Sequence, residues 1–157
     1  MIPTPNTFDY IGYYGPIILL LFAIMILISR TKTLILYILF FAVNVYLNGI
    51  LKSLFREPRP AGNMIFNDME NTGGGEQYGM PSGHAQSVAY TATFLYLFTK
   101  SPDMFMGACF IGAITIYQRY KYKRHSISQL LVGIIIGALV AVLCDKIYNY
   151  KIYNCKI

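Results

Sequence analysis

The chain holds two histidines in 157 residues, and each stands beside residues suited to gripping a phosphate. His84 follows Met80-Pro81-Ser82-Gly83 and precedes an apolar run from Val88 to Phe98. Ser82 is a good N-cap, so this stretch reads as the start of a helix, with unpaired N–H groups and a positive dipole end beside His84. Such a terminus binds phosphate. Lys52 and Arg59 are seven residues apart, about two helical turns, so both can face one pocket where Glu57-Pro58-Arg59-Pro60 stops the helix. Arg119 comes from a separate helix end, six residues before His125. Arginine forks and a lysine hold an anion without losing their charge. Two imidazoles then suit phosphoryl transfer: one attacks phosphorus and the other protonates the leaving oxygen. An ordinary pKa near 6.5 fits either role. The attacking ring must be neutral and needs a partner on its other nitrogen. Gln129, at i+4 from His125, could supply it.

The elements that position these residues are apolar blocks. The chain is 55% hydrophobic and 13% charged, whereas a soluble domain carries about a quarter charged residues. Blocks at 11–29, 34–55, 83–99, 104–117 and 127–143 approach the roughly 20 residues that a membrane span needs. The expectation is an all-α polytopic bundle of about five transmembrane helices, one domain over 1–157, with the motif-bearing core at 52–129. Gly15-Pro16 suits the start of the first span, and Gly133 and Gly137 have the small-xxx-small spacing of close helix contact. Ala61 to Met80 is a polar loop around Gly73-Gly74-Gly75. Five alternating spans bring the end of the second, the start of the third, the end of the fourth and the start of the fifth to one membrane face. Lys52, Arg59, Ser82, His84, Arg119, His125 and Gln129 therefore converge.

A basic residue near a span end can also snorkel to the interface, but snorkelling does not account for matched histidines. The net charge of +6 is spread over loops and helix ends, with a cluster only at Lys121, Lys123 and Arg124, so no nucleic-acid patch is expected. Cys109 and Cys144 lie in apolar blocks and Cys155 in the tail, with no zinc or disulfide spacing. No metal and no cofactor are expected. The first block lacks a basic leader and a small-residue cleavage site, so it is expected to stay as a span.

Lys52-x6-Arg59-Pro60, then Pro81-Ser82-Gly83-His84, then Arg119-x5-His125 resemble the three signature motifs of the type 2 phosphatidic acid phosphatase superfamily, in the family's order. The resemblance implies that Lys52, Arg59 and Arg119 hold the phosphate with Ser82 and the Gly83 amide. It implies that His84 is the general acid and His125 the nucleophile that becomes phosphohistidine. The family's serine before the third-motif arginine is Gln118 here, and its aspartate four residues after the nucleophile is Gln129. A neutral amide stabilises a developing imidazolium less than a carboxylate does. The dolichyl-diphosphate phosphatase branch is similar to this chain in its His-x3-Gln, around Glu57-Pro58-Arg59-Pro60 and around Tyr78-Gly79-Met80-Pro81-Ser82, so Gln129 reads as a branch marker.

The expected function is hydrolysis of a polyisoprenyl (dolichyl-type) diphosphate, with broader lipid-phosphate hydrolysis or phosphate-lipid binding without turnover as alternatives. The partners would be the lipid substrate and membrane lipids. Leaving aside the phosphate-holding residues, the tail side carries six basic residues against four on the histidine side. That bias points to a cytoplasmic tail side. The expected setting is an endomembrane such as the endoplasmic reticulum, with the site facing the lumen or exterior.

Overall fold

The computed structural model describes residues 4–66 and 78–154. Among these described residues five helices run in order: α1 (Thr7–Leu27), α2 (Thr31–Phe55), α3 (Gly83–Thr99), α4 (Pro102–Lys121) and α5 (Ile127–Asn154). Capping chemistry sets most of their starts. Asn6 and Asp9 form a reciprocal capping box at α1. Ser82 caps α3, and Ser101 caps α4 with Pro102 following in the first turn. Ser126 and Gln129 close a second box at α5: the Gln129 N–H donates to Ser126 Oγ, and the Ser126 N–H to Gln129 Oε1, both at 3.2 Å.

The box at α1 moves that helix four residues upstream of the expected start at Ile11. Pro16 therefore lies inside the helix rather than at its beginning. It withholds one backbone donor from the turn that holds Gly12 and Tyr13.

Much of the outward surface is apolar, as at Leu21, Met25, Ile35, Leu39 and Leu139, each more than half exposed. A lipid environment explains an exterior of this kind. α1, α2 and Ile127–Tyr150 of α5 are long and apolar enough to cross a membrane. α3 is shorter and packs against each of the other four helices. The architecture is the expected all-α polytopic bundle. Tyr37, Tyr90, Phe94, Leu95 and Ala141 form the centre of its core.

The α3–α5 crossing depends on the paired glycines. A Cβ on Gly133 would strike the Ser82 carbonyl, and one on Gly137 the Gln86 carbonyl. Backbone therefore lies on backbone. At one end of the bundle, Lys121 Nζ pairs with Asp9 at 2.7 Å, tying the end of α4 to the start of α1. At the other end, Arg30 Nη1 donates to the Phe98 carbonyl at 3.3 Å. The helix ends alternate as the span count requires.

Candidate active site

Asn44, Asn48 and Lys52 recur every four residues on α2 and so share one face. Asn48 Nδ2 donates to the Pro81 carbonyl at 3.2 Å and to Gln86 Oε1 at 2.8 Å. Gln86 Nε2 in turn donates to the carbonyl and Oδ1 of Asn44, at 2.8 and 2.9 Å. These buried amides fix the Pro81-Ser82-Gly83 loop to α2. The Ser82 N–H donates to the Gln129 carbonyl at 3.0 Å, and its Oγ caps the Ala85 N–H at 3.4 Å. The expected cap is present, and α3 begins at Gly83 beside His84.

His125 is 3% exposed. Its Nδ1 lies 2.8 Å from the Gly79 carbonyl. A carbonyl only accepts, so Nδ1 carries the proton and the lone pair sits on Nε2. Burial, with the charges of Arg59, Lys52 and Arg119, pushes this imidazole down to about 3, against the smaller opposing pull of the Gly79 bond. At neutral pH the ring is uncharged and nucleophilic at Nε2.

The hydrogen bond expected between His125 and Gln129 is not made. Gln129 directs Nε2 to Glu57 Oε1 at 2.8 Å and to the Pro58 carbonyl at 2.9 Å, and its Oε1 accepts the Ser126 N–H. α5 starts at Ile127, so His125 precedes the helix and the i, i+4 geometry does not apply.

Arg59 also lies off the helix, because α2 ends at Phe55 and Arg56 adopts a left-handed cap. Its Nη1 donates to the Arg124 carbonyl at 2.9 Å and lies 3.5 Å from His125 Nε2. Arg119 is 2% exposed; its Nε donates to Gln118 Oε1 at 2.6 Å, and its guanidinium lies 5.2 Å from the Tyr13 ring centre. Gln118, in place of the expected serine, thus aims the arginine. His84 Nε2 lies 3.1 Å from the Tyr13 carbonyl and so donates to it, leaving Nδ1 for other chemistry. Lys52, Arg119 and His125 all act electrostatically on His84, and Lys52, Arg59 and Arg119 on His125. Both imidazoles therefore feel the same cluster of positive charge.

Sequence reasoning missed Tyr13 and Gly79, which act through backbone carbonyls, and Glu57, whose backbone carbonyl accepts the Gly79 N–H at 2.7 Å. It also missed Phe66, which stacks on Tyr13 with ring centres 5.0 Å apart. The part of the expected glycine-rich loop at 67–77 lies outside the described residues.

Two cavities adjoin the histidines. One, of about 370 Å³, is lined by His84, Gly83 and Asn48 and runs between α1 and α2 past Tyr13, Ile17 and Val45. The other, of about 680 Å³, is lined by His125, Ser126, Lys121 and Lys123. His84 and His125 thus adjoin different cavities.

Residues 33–153 match the family model described as the PAP2 superfamily. Dolichyldiphosphatase 1 of Homo sapiens is 28% identical over 137 residues, covering 77% of this chain and 55% of the relative. The dolichyldiphosphatase of Saccharomyces cerevisiae is 30% identical over 109 residues, 62% of this chain and 44% of that one. Lipid phosphate phosphatase epsilon 1, chloroplastic, of Arabidopsis thaliana is 28% identical over 114 residues, 68% of this chain and 37% of that one. The chain spans about half the length of the curated relatives it matches. A transmembrane PAP2-type phosphatidylglycerolphosphate phosphatase from Bacillus subtilis superposes with a TM-score of 0.71 at 22% identity, covering 96% of this chain and 80% of that one. The likeness extends over all three motif segments, and the chain belongs to the PAP2 superfamily.

Proposed function

We propose that this protein is a metal-independent membrane phosphatase that hydrolyses a polyisoprenyl diphosphate of the dolichyl type through a phosphohistidine. The observation that carries the reading is the His125–Gly79 hydrogen bond, which leaves a neutral imidazole with its Nε2 lone pair beside Arg59. Lys52, Arg59, Arg119, Ser82 and the Gly83 amide hold the terminal phosphate oxygens. His125 Nε2 attacks phosphorus, and the bond to the bridging oxygen breaks. His84 enters as the imidazolium, which the bound diphosphate's negative charge favours; with Nε2–H still on the Tyr13 carbonyl it gives that oxygen its Nδ1 proton, releasing the lipid monophosphate. Water then attacks phosphorus and the phosphorus–Nε2 bond breaks; His84 Nδ1 takes the water's proton and is the imidazolium again, and inorganic phosphate leaves with His125 restored. The positive ring of residues stabilises charge on the transferring group in both steps.

The leaving group must lie on the acid's side. The cavity there opens between two apolar helices, which suits a lipid chain. The names of the human and yeast relatives favour a dolichyl diphosphate. A broader preference that includes lipid monophosphates is the second reading, favoured by the name of the plant relative. By the same likeness, the protein would reside in an endomembrane with its site toward the lumen.

The test is phosphate release from dolichyl diphosphate by the purified chain in detergent with EDTA. Turnover is expected, with inhibition by vanadate, loss in His125→Ala and slower release from a lipid monophosphate. Unchanged turnover in His125→Ala would rule out the mechanism. Binding of the lipid without turnover would favour a non-catalytic role.

A further inference from the structure

We propose that Gln129 and Glu57 form a clamp that fixes the Gly79 carbonyl and, through it, the attacking tautomer of His125; this inference rests on the phosphatase reading above. Gln129 is 1% exposed, and all of its polar groups are engaged in ways that link the three motif segments. Its Nε2 holds Glu57 and Pro58 of the first. Its backbone carbonyl accepts the Ser82 N–H of the second at 3.0 Å. Its Oε1 and N–H complete the capping box with Ser126, next to the nucleophile in the third.

Gly79 lies between these anchors. Its N–H donates to the Glu57 carbonyl at 2.7 Å, its Cα rests against the Gln129 amide, and its carbonyl takes the proton of His125 Nδ1. If the Gly79 peptide turned away, His125 would lose the acceptor that keeps Nδ1 protonated, and the proton could move to Nε2. That tautomer has no lone pair facing phosphorus. Gln129 and Glu57 are thus positioning residues, acting on His125 through Gly79.

The clamp also accounts for an amide at 129. The side chain must accept from Ser126 and donate twice, to Glu57 and to Pro58. A carboxylate could accept but not donate, and would meet the Glu57 carboxylate at hydrogen-bonding distance. Gln129→Glu therefore keeps the capping box, which accepts Glu as readily as Gln, and breaks only the clamp. Adding Glu57→Gln rebuilds the bond between 57 and 129 with donor and acceptor exchanged, while the Pro58 carbonyl stays without its donor.

The experiment compares wild type, Gln129→Glu and the Glu57→Gln/Gln129→Glu pair as purified full chains. Each is assayed on dolichyl diphosphate and labelled with 15N-histidine to read the His125 tautomer by NMR. Gln129→Glu is expected to lower kcat about 10- to 100-fold with KM within about twofold, and to mix the two neutral tautomers. The paired exchange, which restores one of the two donated bonds, is expected to regain part of the lost kcat and to move the ring back toward the Nδ1–H tautomer. Wild-type kcat or a pure Nδ1–H signal in Gln129→Glu would overturn the clamp, as would no recovery in the pair or a gain in kcat from Gln129→Glu. The tautomer is read without turnover. A chain inactive on every lipid, with the tautomer shifting as expected, would therefore fail the phosphatase reading and not the clamp.

Discussion

The imidazole of His125 donates Nδ1–H to the backbone carbonyl of Gly79 across 2.8 Å, in a setting where burial and three cations push the ring down to about 3. A native ring with a lowered pKa binds a proton less readily than the unfolded chain, whose histidine titrates near 6.5. Stability therefore falls as pH drops below that value, by up to about 1.4 kcal/mol per pH unit until the native ring itself titrates. Melting temperatures in detergent at pH 7, 6 and 5 should decline for the wild type and decline less for His125→Asn. Parallel slopes would contradict the depressed pKa.

Gly79 itself is the next point of sensitivity. A methyl group on its Cα would strike the Gln129 side chain, so either the amide or the Gly79 peptide must shift. Gly79→Ala is expected to lower kcat by at least about tenfold, since small misplacements of a reacting group are costly. Steady-state kinetics on a lipid diphosphate test this, and a wild-type kcat would mean that the segment yields without disturbing His125.

Arg119 depends on shape as much as on charge. Its Nε bonds to Gln118, and its guanidinium lies over the Tyr13 ring. Lysine keeps the charge but loses the fork and the planar stack. Arg119→Lys should reduce kcat/KM about 100-fold, or about 2.7 kcal/mol of transition-state stabilisation. A loss below about threefold would assign the residue a purely electrostatic part.

The residues that touch phosphate in this reading were legible because their chemistry demands particular side chains at particular spacings. Lys52, Arg59, Arg119 and both histidines come together as the alternation of spans requires. What was not legible has physical reasons. The acceptors for His84 and His125 are the carbonyls of Tyr13 and Gly79, and a backbone carbonyl carries no residue signature. Helical spacing pairs Gln129 with His125 in sequence, but the helix begins only after the Ser126 cap, so the two do not share a helical face. Hydropathy starts the first block at Ile11, whereas the capping box of Asn6 and Asp9 carries the helix back to Thr7 through residues that are not apolar enough to mark it.

Asn48 provides a test of how the phosphate loop is held. Its amide is the donor for both the Pro81 carbonyl and Gln86 Oε1, within a buried network that ends at Asn44. Asn48→Asp preserves the size but leaves those two acceptors facing a third, and each buried group left unsatisfied costs about 1–3 kcal/mol. The variant should therefore melt several degrees lower in detergent than the wild type. Because the same bonds hold Pro81 ahead of Ser82 and Gly83, it should also bind vanadate more weakly. Leu39→Ala, at an outward-facing site more than two turns away on α2, removes apolar volume without touching the network. It should leave vanadate binding unchanged. Equal vanadate affinity in Asn48→Asp and the wild type would mean that the loop keeps its shape without α2, and that its anchoring lies with Gln129 alone.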